Sequence, residues 1–326
     1  MIISRTPLRM SFTGGGSDLP AFYRKFGGAV ISTTIDKYIY VTVNKKFDNG
    51  IRISYSKTEE VSCTDEIEHQ LVRAALEFLG IKGGIEITTI ADIPSKGTGL
   101  GSSSSFTVGL LHALNAFKGC YVSSDQLGSS SCYIEIDRCC EPIGKQDQYA
   151  AAFGGFNLIE FNPDESVTVS PIICNRDTIK EIERNLIVFY TGIVRSASNL
   201  LATQSNEVSH NEKKQDVLKK MVRLTYDLRQ ELQNNKTHTF GEILHENWVL
   251  KKNLTENISN TEIDDWYEKA RKAGAIGGKI LGAGAGGFLL FYAPQSTHES
   301  IRNALFNLRQ INVNFEPRGS SIIFYH

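Results

Sequence analysis

The sequence predicts an α+β fold in two domains, and three observations carry that prediction. The chain has 326 residues, about two domains' worth. Its N-terminal half consists of short β-branched runs separated by turn residues, with helical periods between them. Its second half turns polar and helical before returning to short apolar runs. The change falls near residues 175–190, so the expected domains are 1–183 and 184–326. Apolar residues make up 41 % and charged residues 22 %, close to globular averages, which excludes disorder, collagen and coiled coil. Lys and Arg (35) nearly cancel Asp and Glu (36), leaving a net charge of −1. Such a chain has no basic field to seek a polyanion, so a nucleic-acid partner is not expected.

Residues 29–35 and 39–45 are rich in β-branched residues and Tyr and predict two strands. Asp48, Asn49 and Gly50 then turn the chain into a third at 51–55. Ile67, Leu71, Ala74, Ala75 and Phe78 recur at helical spacing, giving a helix over 67–79. A strand at 85–90 precedes a helix at 106–117 that is apolar on most faces and therefore buried. A helix at 127–139 and a strand at 156–161 complete the first half. In the second half, 185–190 is a strand and 196–260 is helical. There Val217, Met221, Leu224, Leu228 and Leu232 form one apolar stripe for core packing. A helix at 263–273, a strand at 287–292, a helix at 301–308 and a strand at 321–325 follow. The longest apolar stretches, such as 287–293, are far too short to span a bilayer. The first residues carry no export signal, so a cytoplasmic protein with no membrane partner is expected. Cys63, Cys120, Cys132, Cys139, Cys140 and Cys174 include no C-x-x-C pair and are expected to be free thiols.

The strongest motif is I-P-S-K-G-T-G-L-G-S-S-S-S-F at 93–106, between a strand and a buried helix. Gly97, Gly99 and Gly101 let the backbone approach a ligand closely, and the serines open a helix whose free N–H groups favour an anion. One serine suffices as a cap, so four after three glycines point to a phosphate loop. No Lys follows the last Gly, which excludes a Walker-type loop. A second Gly-rich stretch, G-A-G-A-G-G at 282–287, matches G-x-G-x-x-G literally. A strand follows it, however, where the dinucleotide fingerprint needs a helix, so it is a tight loop packed against another backbone or a phosphate. At the N-terminus, a strand bearing Arg9 runs into a Gly14-Gly15-Gly16 turn followed by Asp18. Glu135 on a helix and Asp147 in the loop after it supply two acids, each of which singly suits an ordinary surface role.

Taken together, these segments resemble the GHMP kinase superfamily over nearly the whole length. The first family motif is met by Pro7, Arg9, Gly14 and Asp18, the second by 94–103, and the third by 282–287. Gly144, Asp147 and Gln148 resemble the acidic loop of the galactokinase branch, with Glu135 twelve residues before Asp147. The chain is also similar to D-glycero-D-manno-heptose 7-phosphate kinases at 14–19, 144–155 and 277–288. It departs from galactokinases at Gly15 and Gly16, where they carry a sugar-contacting Glu-His pair. Bacterial fucokinases share the Gly-rich start and the Q-D-Q loop, which keeps a fucose-like acceptor open.

The resemblance implies an N-terminal domain like ribosomal protein S5 domain 2, a C-terminal ferredoxin-like α/β domain, and an ATP-dependent sugar kinase. The implied ATP contacts are Lys96, Gly97, Gly99, Leu100, Gly101, Ser102, Ser103 and Ser104. Mg²⁺ would meet Ser103 and Glu135. Asp147 would accept the proton of the attacking hydroxyl, and Arg9 would hold it ionised and stabilise the transferring group. Asp18, Gly15, Gly16 and Gly284 would contact substrate. A phosphorylated acceptor needs a cationic hook, for which Lys145 and Arg195 are the candidates. The expected reaction is transfer to the anomeric hydroxyl of a heptose 7-phosphate, serving nucleotide-activated heptose for surface polysaccharide, by a monomer or homodimer. A non-catalytic sugar-binding regulator is disfavoured because both acids are present.

Overall fold

The computed structural model describes residues 1–94, 97–194 and 197–326. The chain opens with strand β1 (Ile2–Thr13), helix α1 (Pro20–Phe26) and the long strand β2 (Gly28–Lys45). The two predicted strands at 29–35 and 39–45 are one. The pairing with β1 jumps from Pro7↔Tyr38 to Leu8↔Ile35, so Asp36 and Lys37 sit in a bulge beside a proline that lacks an N–H. Strands β3 (Ile51–Ser54) and β4 (Thr58–Val61), helix α2 (Gln70–Phe78) and strand β5 (Ile85–Ala91) follow. Beyond the bulge β2 changes partner: Ile39–Lys45 pair with β5, whereas Gly28–Thr33 pair with β6 (Phe156–Phe161), which carries β7 (Val167–Pro171) at its other edge.

Between β5 and β6 come helices α3 (Ser102–Phe117), α4 (Ser124–Cys132) and α5 (Gln146–Phe153). The helix expected over 127–139 changes at Tyr133 into a π-helical turn, Tyr133–Arg138. Such widened turns concentrate at functional sites, and this one carries Glu135. Helix α3 packs on β1 and β2, and Leu110, Leu111 and Leu114 enter the main core. β1 is buried on both faces: Leu8, Met10 and Phe12 join the core, while Arg9, Ser11 and Thr13 point the other way. Burial of alternate polar residues is unusual for a strand and marks the face that meets the site.

Helix α6 (Arg176–Asn185) leads into strand β8 (Leu186–Tyr190), then helices α7 (Ala197–His210), α8 (Glu212–Gln233), α9 (Phe240–Lys252) and α10 (Thr261–Lys272). Strands β9 (Gly277–Ile280) and β10 (Phe288–Tyr292), helix α11 (His298–Ala304), and strands β11 (Arg309–Ile311) and β12 (Ser321–Tyr325) close the chain. The second sheet has the order β11-β8-β10-β9, all antiparallel, which is the ferredoxin-like arrangement. The buried stripe of α8 runs through Leu218, Met221, Leu224, Leu228 and Leu232, and Val217 lies at its margin. Strand β12, expected with the second half, instead pairs antiparallel with Ile2–Arg5 of β1 and forms an edge of the first sheet. No helix among the described residues is long and apolar enough to cross a membrane.

Candidate active site

β1 delivers Arg9 to the floor of a cavity of about 590 Å³ between the two sheets' loops. The guanidinium is buried and each of its three nitrogens donates a hydrogen bond. Nε and Nη2 donate to Asp147 Oδ1 and Oδ2 at 2.7 and 2.6 Å, and Nη1 donates to the Gly99 carbonyl at 2.6 Å. This two-point geometry is the strong form of a charge-assisted pair. Asp147 sits in the first turn of α5, not in a loop, and Gln148 from the same turn reaches back to Glu135. The alanine-rich continuation Ala150–Ala152 buries α5, which fixes the direction of Asp147.

The glycine-serine segment does not use its serines as helix caps. Gly101 is the N-cap of α3, in the left-handed region at φ 75°, where a Cβ would stand 3.3 Å from Asp147 Oδ2. Each hydroxyl is committed to a neighbouring side chain or carbonyl. Ser102 meets Thr98, Ser103 and Ser104 donate to Glu135, and Ser105 donates to the Pro7 carbonyl. The helix N-terminus therefore keeps its N–H groups toward the cavity, which Gly97, Gly99 and Gly101–Ser104 line.

Glu135 is fully buried on the π-turn and accepts from Ser103, Ser104, Thr107 and Gln148 at 2.6–3.1 Å. Burial raises its pKa to about 7 against the pull of those donors. Ser103 Oγ and Glu135 Oε1 lie 3.1 Å apart, an oxygen-only pair beside a phosphate-type loop, and the buried Gln148 Oε1 next to it has no partner among the described residues. That donor set suits a hard divalent cation completed by phosphate oxygens.

On the other wall, Asp18 accepts from the Gly16 N–H at 3.0 Å, and its pKa is raised by burial and then by Asp147. It does not cap α1, whose N-cap is Leu19. Gly144 gives it room, because a Cβ there would fall 1.9 Å from Asp18 Oδ2. Gly16 lines the cavity, and Gly15 lies beside the ammonium of Lys251.

Two expected substrate contacts lie elsewhere. Lys145 donates to the Glu165 carboxylate at 2.6 Å and carbonyl at 3.0 Å and lies over the Tyr23 ring, so its charge is engaged away from the cavity. Gly284 packs on the Ile258 carbonyl, which a Cβ would approach to 2.7 Å; only Gly282 and Ala283 of that loop reach the cavity. Lys96 and Arg195 fall outside the described residues. The third glycine motif is a backbone brace: a Cβ on Gly282 would stand 2.4 Å from Gly99 Cα, and one on Gly287 2.3 Å from the Thr98 carbonyl.

Sequence reasoning missed Lys251 and Gln204. Lys251, from α9, lines the cavity and donates to the Gly282 carbonyl at 2.5 Å. Burial lowers its pKa to about 8, partly opposed by Asp18. A signal was available: Phe240, Leu244, Asn247 and Lys251 recur at helical spacing on the buried face, and the last two are polar. Gln204 of α7 also lines the cavity. Among the described residues, no His/Cys/Asp/Glu group of three forms a metal cluster.

Residues 69–155 match the GHMP kinases N terminal domain and residues 228–309 the GHMP kinases C terminal domain. The D-glycero-alpha-D-manno-heptose 7-phosphate kinase of Campylobacter jejuni is 30% identical, over 93% of this chain and 93% of that protein. The L-fucokinase/L-fucose-1-P guanylyltransferase of Bacteroides fragilis is 25% identical over 90% of this chain, which spans 34% of that longer protein. A solved D-glycero-D-manno-heptose 1-phosphate kinase from Bacteroides thetaiotaomicron superposes with a TM-score of 0.83 at 25% identity, covering 100% of both chains.

Proposed function

Because the chain belongs to the GHMP kinase family, we propose that it transfers the γ-phosphoryl group of ATP to the anomeric hydroxyl of D-glycero-D-manno-heptose 7-phosphate, giving the 1,7-bisphosphate for nucleotide-activated heptose. The observation that carries this reading is Asp147, held at two points by Arg9, beside a helix N-terminus that opens onto the same cavity. The heptose phosphate comes from the names of two relatives, one of which places the phosphate at position 7 and the other at position 1.

Phosphoryl transfer asks for placement and charge neutralisation more than covalent help. The N–H groups at the start of α3 and the loop of Gly97–Gly101 would cradle the nucleotide phosphates. Ser103 and Glu135 would hold Mg²⁺, which supplies charge neutralisation across those phosphates. Asp147 would accept the proton as the sugar oxygen bonds to the γ-phosphorus and the bond to the ADP oxygen breaks. Arg9 fixes the direction of that carboxylate and adds positive charge beside the transferring group. Asp18 would take sugar hydroxyls.

A free sugar such as L-fucose is the second reading. The B. fragilis relative supports it, as does Lys145, whose charge faces Glu165 and not the cavity. The test is ADP release from Mg-ATP with D-glycero-D-manno-heptose 7-phosphate, L-fucose, D-galactose and D-mannose offered separately. Fast turnover on the heptose phosphate alone is expected; turnover on a free sugar alone would discard the heptose assignment and leave the Asp147 chemistry in place.

A further inference from the structure

We propose that Lys251 and Gln204, together with Asp18, form a subsite that reads hydroxyl oxygens of the acceptor and thereby sets which polyol the cavity admits. The inference rests on the kinase reading above. The three residues come from separate places, α9, α7 and the turn between β1 and α1, and all line one cavity.

Their hydrogen-bonding capacity is incomplete in a way that defines a ligand. The buried ammonium of Lys251 carries three N–H donors, and among the described residues its one hydrogen-bond partner is the Gly282 carbonyl. Gln204 is 1 % exposed, and its Nε2 has no partner among the described residues. Gly16 allows that amide to stand at the turn, since a Cβ there would lie 2.3 Å from Nε2. Donors left unmatched in a buried place cost free energy, which an incoming oxygen recovers.

Charge decides between an anion and a hydroxyl. Arg9 is already matched by Asp147, the charge of Asp18 acts on Lys251, and Glu141 adds a further carboxylate to the lining, so the wall carries no excess of positive charge. A phosphate dianion gains little from such a wall. A sugar hydroxyl can accept from Lys251 or Gln204 and donate to Asp18 at once, which is the pairing a carboxylate beside an ammonium provides. Sites that hydrogen-bond a substrate hydroxyl strongly reject analogues lacking it, because the protein's polar groups are then left unpaired.

The experiment compares wild type with Lys251→Met and Gln204→Leu in steady-state kinetics. D-glycero-D-manno-heptose 7-phosphate, L-fucose and D-mannose serve as acceptors, with Mg-ADP calorimetry as the check on fold and nucleotide site. Each variant is expected to raise the acceptor KM at least tenfold. The ATP KM and Mg-ADP affinity stay within about twofold in Gln204→Leu, and any rise in the ATP KM of Lys251→Met, which loses its bond to Gly282, stays smaller than the rise in its acceptor KM. If Lys251→Met fails to bind Mg-ADP, Gln204→Leu alone decides. A shift in ATP KM with acceptor KM unchanged, or no shift in either, overturns the subsite. If wild type refuses the heptose phosphate but phosphorylates a free sugar, and the variants raise that sugar's KM, the subsite stands and only the heptose assignment falls. No turnover by wild type on any of the three overturns both.

Discussion

Arg9 and Asp147 lie 138 residues apart in sequence and meet through two parallel hydrogen bonds of 2.7 and 2.6 Å. The same guanidinium also holds the Gly99 carbonyl, so one side chain positions both the carboxylate proposed to take the proton and the loop proposed to hold phosphate. A carboxylate fixed in this way cannot turn away from the cavity, which is what the proposed transfer asks of it.

Asp147→Asn keeps the size of the side chain and removes the proposed proton acceptor. Turnover is expected to fall 10²–10⁴-fold with Mg-ADP affinity unchanged. Activity within threefold of wild type in the ADP-release assay would show that another group takes the proton.

Arg9→Lys keeps a positive charge but cannot bond Asp147 at two points and Gly99 as well. We expect turnover to drop at least tenfold. Because the loop loses its tie, the ATP KM should rise too. A change confined to acceptor KM would place Arg9's role on the sugar side.

Gly282→Ala and Gly80→Ala separate conformational strain from contact. Both glycines have φ near +70°, at 75° and 68°, but a Cβ on Gly80 meets nothing within 4 Å, while one on Gly282 stands 2.4 Å from Gly99 Cα. Urea unfolding should show Gly80→Ala losing about 1–2 kcal/mol from backbone strain alone. Gly282→Ala should lose more and also raise the ATP KM. Equal losses with an unchanged ATP KM would mean that the two loops do not brace one another.

Glu135 predicts a pH dependence with a definite sign. Its pKa is raised from 4.5 to about 7 by burial, so the ligand-free fold binds a proton that the unfolded chain releases. Between those values stability falls as pH rises, by roughly 3 kcal/mol once ionisation is complete. A cation needs the ionised carboxylate, so apparent Mg²⁺ affinity should increase through pH 7 and level off above it. Glu135→Gln is expected to flatten both curves, measured by thermal unfolding and by metal titration in the presence of ADP. A stability curve unchanged by the substitution would assign the slope to other groups.

The parts of the site legible in the sequence were those written as contiguous motifs. The loop at 97–104, Arg9 before its triple glycine, and Asp147 twelve residues after Glu135 all carry their meaning in local spacing, and the fold brings them together. Lys251 and Gln204 were not legible as site residues because neither belongs to a contiguous motif: Gln204 is one of many polar positions on α7, and Lys251 stands out only in the helical period of α9. The direction of Lys145 depends on Glu165 and Tyr23, which no spacing rule connects to it. Strand β9 was missed because its Gly-Gly-Lys-Ile run has one apolar residue, although its burial and its pairing with β10 make it a strand. The partner of β12 is likewise set by the open edge of β1, more than 300 residues away, and that is information about topology.

The contact between Gly99 and Gly282 has a thermodynamic consequence. On one side, Gly99 belongs to the loop that would hold nucleotide; on the other, the Gly282 carbonyl receives Lys251 from the wall proposed to read the acceptor. Two backbones touching without side chains leave no slack between them, so ordering either loop orders the other. Nucleotide and sugar would then strengthen each other's binding, and linkage requires the factor to be the same in both directions.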